Sequence, residues 1–222
     1  MKKLIIFDVC NTFVNTNSTF SYVDYLINKW IKSWYKVFFH NRVLWYFYAI
    51  LYLFFRFDFK IFFTKRYFRW LNVKEIDSLS QDYFKRYESK IFPHMLKIIN
   101  KKKGSSKIVF LSSSINPPID FLQNKFWVDW FSSKLEEKNW KYTWKVLQPL
   151  WWRKQTIFEE WKIDLNVYEE IEFYTDNIND SWLIKYLCNR HSNVNIFIIP
   201  YKNKKYWNKF FRTNKICHEF MD

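Results

Sequence analysis

The residues able to do chemistry in this 222-residue chain fall in four short stretches. Asp8, Cys10 and Thr12 alternate in FDVCNT, and Ser112 opens the serine run of VFLSSS. Lys154 lies in WWRKQTIF, and Asp176 and Asp180 bracket DNIND. Carboxylates hold hard cations and can attack electrophilic phosphorus, while hydroxyls and an ammonium steady oxyanions. A thiol two positions after a carboxylate is the odd member of such a set. It is a weak acid, with a reference pKa of about 8.5.

Each stretch is carried by an element that aims it. Residues 3–7 read as a strand that is continuously apolar from Leu4 to Phe7, as in one covered on both faces of a parallel sheet. KIVFLSSS (107–114) is a second buried strand; EEIEFYT reads as a strand ahead of the DNIND loop, and VNIFIIP as a last one. WFSSKLEEKNWKYTWKVL reads as a strand or hairpin. PPIDFLQNKF, WRKQTIFEEW and SWLIKYLCNR read as helices. Ser18 or Thr19 is expected to cap a helix running to about residue 39. Helix follows helix from there to about residue 91. Another spans 93–103 and ends at Gly104, where a left-handed cap is wanted. The basic tail 201–215 is expected to be peripheral. Strands alternating with helices after a long helical insertion predict an α/β doubly wound parallel sheet with an inserted all-helical segment. Ligands of such sheets sit at the carboxyl ends of strands, where Asp8, Ser112 and Asp176 all fall.

Composition narrows the partners. Lys and Arg total 36 against 21 Asp and Glu, a formal charge of +15 that favours anionic partners. Part of that excess is discounted: with one Gly and a single Ala (Ala49), Lys, Asn and aromatic residues stand where small ones are usual. No nucleic-acid recognition motif accompanies the charge, so nucleic acid is not expected. Cys10, Cys188 and Cys217 have neither disulfide-framework nor zinc spacing, which suits a reducing cytosol. The four histidines are scattered. The apolar start is too short for a secretory leader, and none is expected.

In order and spacing, the four stretches resemble the motifs of the haloacid dehalogenase (HAD) superfamily. The nearest likeness is to its phosphoserine-phosphatase-like branch, which carries a helical cap between the first and second motifs. The resemblance spans nearly the whole chain, although the insert matches only in position and character. It implies a Mg²⁺-dependent phosphomonoester phosphatase with a HAD-like core over 1–15 and 96–222 and a helical cap over 16–95. Asp8 would be the nucleophile that takes the phosphoryl group as an aspartyl-phosphate. Asp8, the backbone carbonyl of Cys10 and Asp176 would hold the cation, with Asp180 one step further out, through water. Thr12, Ser112 and Lys154 would hold the transferring oxygens. Lys145 and Lys162 are the other nearby lysines. Cys10 departs from the pattern, because the superfamily's usual residue there is an Asp that protonates the leaving group and later activates water. Asn11 replaces the usual Gly, and Asn tolerates positive φ. Three outcomes stay open: a slow phosphatase, a phosphotransferase shielded from water, and a binding protein that has lost turnover.

The insert carries the second signal. VLWYFYAILYLFF (43–55) falls short of the roughly twenty residues that span a bilayer. Around it Trp, Phe and Tyr alternate with Lys and Arg, which suits a segment lying in an anionic membrane interface, or a cap whose rings pack on one another. Phosphatidylglycerophosphate phosphatases of the same superfamily are similar in placing a hydrophobic, basic-flanked insert here. The expected substrate is therefore a lipid phosphate or another phosphate made near a membrane, with a small soluble phosphorylated metabolite as the rival. The expected location is cytoplasmic, peripheral at the inner face of the membrane.

Overall fold

The structure, a computed structural model, describes residues 2–55, 59–150, 153–160, 163–199, 204–214, 216 and 218–221. Within them the strands are β1 (Lys3–Phe7), β2 (Ser106–Ile115), β3 (Asp129–Lys138), β4 (Lys141–Gln148), β5 (Glu170–Thr175), β6 (Val194–Ile198) and β7 (His218–Phe220). They form one sheet in the order β4-β3-β2-β1-β5-β6-β7, parallel throughout except for the β3–β4 hairpin. The chain builds outward from β1 to one side, then returns to build outward on the other. The reversal of strand order therefore falls beside β1, at the β1–β5 pair.

Why β1 reads as an unbroken apolar run is now plain. Ile5 and Phe7 enter one hydrophobic core while Leu4 and Ile6 enter the other, so the strand has no solvent face. Helices α1 (Ser18–Asn28), α2 (Lys36–His40), α3 (Arg42–Phe55), α4 (Phe59–Phe68) and α5 (Val73–Tyr87) follow β1, and α6 (Pro93–Lys102) leads into β2. The first core is filled from this series and from α7 (Pro117–Phe126). Three further helices, α8 (Thr156–Glu159), α9 (Ser181–Arg190) and α10 (Lys204–Asn214), cover the second core. Local signals fix the ends. Asn17 caps α1 and Asn72 caps α5 by accepting backbone N–H groups, and Pro93 opens α6.

The helical series between β1 and β2 leaves and returns at one place. The Asn15 amide donates to the Lys90 carbonyl (2.8 Å), and the Phe92 amide to the Phe13 carbonyl (3.1 Å). Its far side is tied to the hairpin, where Trp70 N donates to Tyr142 O (2.9 Å) and Val73 N to Trp140 O (3.0 Å).

Four expectations fail. The first helix is capped by Asn17 rather than by Ser18 or Thr19, which lie inside it. It stops at Asn28 rather than near residue 39, because Trp30 (φ 66°) and Lys32 (φ 46°) turn left-handed and break it. Gly104 does not supply a left-handed cap: α6 ends at Lys103 with ordinary helical angles, and no glycine has positive φ. The basic tail is not peripheral. Its helix α10 buries Trp207, Phe210 and Phe211 in the second core, and a further strand, β7, follows it.

Left-handed turns thus fall on residues other than glycine, and four of them are tryptophans: Trp30, Trp70 (φ 71°), Trp127 (φ 54°) and Trp140 (φ 60°). Asn139 (φ 51°) and Trp140 form the two-residue turn between β3 and β4. Both have positive φ, as in a type I′ hairpin, where Asn-Gly is the favoured pair.

Candidate active site

Asp8 follows β1 directly, and its own amide donates to the Tyr174 carbonyl of β5 (2.9 Å), so the side chain is fixed at the reversal of strand order. Asp8 Oδ1 accepts from Lys154 Nζ (2.7 Å), and Asp8 Oδ2 accepts from Thr12 Oγ1 (3.2 Å). The same Thr12 hydroxyl lies 3.1 Å from Asp176 Oδ1 and itself accepts from the Asp176 amide (3.0 Å). Lys154 also donates to Asp180 (2.9 Å), whose Oδ2 accepts from Thr175 Oγ1 (2.7 Å) as well. Residues separated by more than 160 positions in the chain thus share one buried network.

The loop after β1 makes this possible. Phe13 N and Val14 N both reach the Val9 carbonyl (3.0 Å each), and Asn11 takes φ 58°, so the chain doubles back and brings Thr12 beside Asp8. Asn11 holds the left-handed position as expected. Lys154 stands just before the short helix α8, and the β5–α9 loop delivers Asp176 and Asp180.

Electrostatics follow from the burial. Loss of water pushes the Asp8 carboxyl up to about 6; Lys154 opposes this and the Asp180 charge adds to it. Burial, then the neighbouring Asp8 charge, pushes Asp176 up to about 7. Burial pulls the Lys154 ammonium down, but Asp180 and Asp8 outweigh it and hold the ammonium above its usual value. Three carboxylates face a single ammonium, and Thr12 has only one proton to share between Asp8 and Asp176. The network carries excess negative charge.

That excess is what a divalent cation would neutralise, and oxygen donors suit Mg²⁺. Among the described residues no three His, Cys, Asp or Glu side chains gather to cage an ion by themselves. Asp8 and Asp176, bridged by Thr12, are the two carboxylates that could share such a cation with backbone oxygen. Asp180 accepts from Lys154 and Thr175.

Cys10, close enough to feel the Asp8 charge, sits in a nest of hydroxyls. Its Sγ lies 3.0 Å from Ser18 Oγ and 3.0 Å from Ser114 Oγ, and the Ser18 amide points at it from 3.4 Å. Burial, then the Asp8 charge, raises its pKa, against the pull of both serines. Ser112 is fully buried at the level of Asp8, and its Oγ accepts from the Ser114 amide (3.1 Å). The structure thus joins Asp8, Thr12, Lys154, Asp176 and Asp180 directly, and leaves Ser112 beside them without a described hydrogen bond to the cluster. Of the other lysines considered, Lys145 is exposed on β4, and Lys162 lies outside the described residues.

The sequence reading missed Thr175, Ser18 and Ser114. Ser114 was hidden in a run of three serines, and Ser18 was read as a helix cap. Thr175 has a retrospective signal, since a threonine directly before a strand-end Asp can brace a carboxylate arriving five residues later.

No family model and no curated protein sequence matches the chain. Solved structures do. A Bordetella pertussis protein of unknown function superposes with a TM-score of 0.77 at 11% identity, covering 98% of each chain. A phosphoserine phosphohydrolase-like protein from Francisella tularensis gives 0.60 at 14% identity, over 94% of this chain and 93% of that one. A HAD-family hydrolase from Salmonella enterica serovar Typhi gives 0.61 at 14%, over 89% of this chain and 63% of the other. At these identities the shared property is the fold: a HAD-like α/β core of the phosphoserine-phosphatase type.

Proposed function

We propose that this protein is a Mg²⁺-dependent phosphomonoester phosphatase that works through an aspartyl-phosphate on Asp8. The observation that carries the proposal is the single buried network joining Asp8, Thr12, Lys154 and Asp176 at the reversal of strand order in a HAD-like fold. Asp8 attacks phosphorus; the P–O bond to the alcohol breaks as the O–P bond to the carboxylate forms. The departing alkoxide takes the proton of the Cys10 thiol. Water then attacks the same phosphorus and returns a proton to the Cys10 thiolate as the O–P bond to the carboxylate breaks, releasing inorganic phosphate and restoring Asp8. Lys154 and Thr12, with Ser112 beside them, steady the oxygens in transit. A bound Mg²⁺, held by Asp8, Asp176 and the Cys10 carbonyl, would balance the charge that phosphate brings to the carboxylates.

Residues 16–95 act as the cap that selects the substrate. The cap's composition supports a lipid phosphate, or another phosphate made near a membrane, over a small soluble metabolite. Asp8→Asn, nearly isosteric, should abolish turnover and Mg²⁺-dependent binding of beryllofluoride while leaving the circular dichroism spectrum unchanged. Full activity in that variant would end the proposal. A phosphatase screen including lipid phosphates separates the two substrate classes. A wild type that binds Mg²⁺ but forms no phosphoenzyme would instead be a binding protein.

A further inference from the structure

Helix α3 presents an apolar face to water. Val43, Tyr46, Phe47, Ile50 and Phe54 are each between 51% and 78% exposed. At about 100° per residue these five positions fall within an arc of about 100°, so they make one continuous stripe. The opposite side of the helix is the one that packs: Tyr48 is buried against Phe63 of α4 (5.6 Å between centroids). Phe38 of α2 stacks on the same Phe63 (4.5 Å), which sets α2 and α3 side by side on α4. Trp34, just before α2, is also exposed, and so are Trp30 and Trp70 at the left-handed turns.

The charge around this face is predominantly positive. Between Asp24 and Glu75 the sequence holds one acidic residue, Asp58, against ten Lys and Arg. Lys29, Lys36 and Arg66 are exposed, and Arg69 packs its guanidinium over the Trp70 ring (4.9 Å). An apolar stripe rimmed by cations and tryptophans matches the interface of an anionic bilayer, where rings sit at headgroup level and cations meet lipid phosphates. A second copy of the chain fits poorly, because pairing this face with itself brings like charges together. The helix lies on such a surface rather than crossing it. Fourteen residues reach about 21 Å, short of the roughly 30 Å hydrocarbon layer, and no described helix is long and apolar enough to span it.

We infer that the outer stripe of α3, with the surrounding cations of α2 and α4, docks the protein on an anionic membrane surface. The inference stands apart from the phosphatase proposal, because binding needs no turnover. The test is flotation of the full-length protein with vesicles of phosphatidylcholine alone and of phosphatidylcholine mixed with phosphatidylglycerol. Binding should require the anionic lipid and weaken with salt. Tyr46→Ser, Phe47→Ser and Phe54→Ser combined should lower it by about tenfold or more, with unchanged circular dichroism because none of the three is buried. Lys36→Gln with Arg66→Gln should weaken it further. No binding to anionic vesicles at low salt overturns the inference. So does full binding by the triple serine variant, which would move the contact elsewhere. Wild-type self-association that the serine variant abolishes, without vesicle binding, would assign the face to a second copy and also overturn it.

Discussion

At the carboxyl end of β1, two carboxylates, Asp8 and Asp180, and the Lys154 ammonium are kept from water, with Asp176 half-buried beside them, while in α3 five apolar side chains are kept in it. Both arrangements run against the usual partition of side chains, and they are supported differently. The buried charges hold one another through named hydrogen bonds, so the protein itself offsets much of their desolvation. The exposed side chains of α3 keep half or more of their surface in water. A region that satisfies its own anomaly is built for internal chemistry, and one that leaves it open is built for something outside.

Removing a cation from each region gives the largest contrast. Lys154→Met would leave Asp8 and Asp180 buried without their shared partner and should destabilise the protein by about 3–5 kcal/mol in urea without added divalent cation. Arg66→Gln on the insert should stay within about 0.5 kcal/mol of wild type. Similar losses in the two variants would erase the distinction.

Cys10→Asp sharpens the account of the site. Two serine hydroxyls and the Ser18 amide surround Sγ, an array of donors suited to a carboxylate. General acid–base catalysis contributes about 10²- to 10⁴-fold where it operates. The substitution should therefore speed alkyl-phosphate hydrolysis at least about tenfold, or about 1.4 kcal/mol of barrier. Nitrophenyl phosphate, whose leaving group needs no proton, should gain much less. Equal gains on both substrates would remove Cys10 from the proton-transfer role.

The smallest effects separate the tryptophans by region. A left-handed conformation costs a side-chain-bearing residue about 1–2 kcal/mol, and glycine gives part of that back as unfolded-state entropy. Trp127→Gly and Trp140→Gly should each raise stability by about 0.5–1 kcal/mol and leave vesicle binding unchanged. Trp30→Gly and Trp70→Gly should stabilise similarly yet weaken vesicle binding. If all four behave alike in flotation, the insert's tryptophans have no special part in docking.

Much of this was legible before any coordinates. Continuous apolar runs located β1 and β2, because a strand covered on both faces has no polar side to confuse the pattern, and mostly apolar runs located β5 and β6. Asp8, Asp176 and Lys154 could be placed because strand ends and a helix start are fixed by local sequence. What could not be read depended on tertiary proximity. The early end of α1 needed knowledge that Trp30 and Lys32 would turn left-handed, against the preference of both residue types. The burial of α10 was masked by its lysines, Lys204, Lys205 and Lys209, which stay exposed while Trp207, Phe210 and Phe211 are buried. The nest around Cys10 joins residues from β2 and α1 that no spacing rule connects.

The position of β1 has a consequence for how the molecule is made. Lys3 pairs with Ser106 on one side and with Glu170 on the other, so this strand gains its partners only after about 100 and then about 170 further residues have been made. Contacts that distant are slow to close. Until they do, the LIIF segment leading into Asp8 is an unpaired apolar edge on a nascent chain, open to off-pathway pairing. The helical series can assemble from local contacts in the meantime, and its first and last residues meet at Asn15 and Lys90. Folding of the insert would then shorten the loop that β1 and β2 must close, so its helices would act as a folding aid to the site as well as its cover.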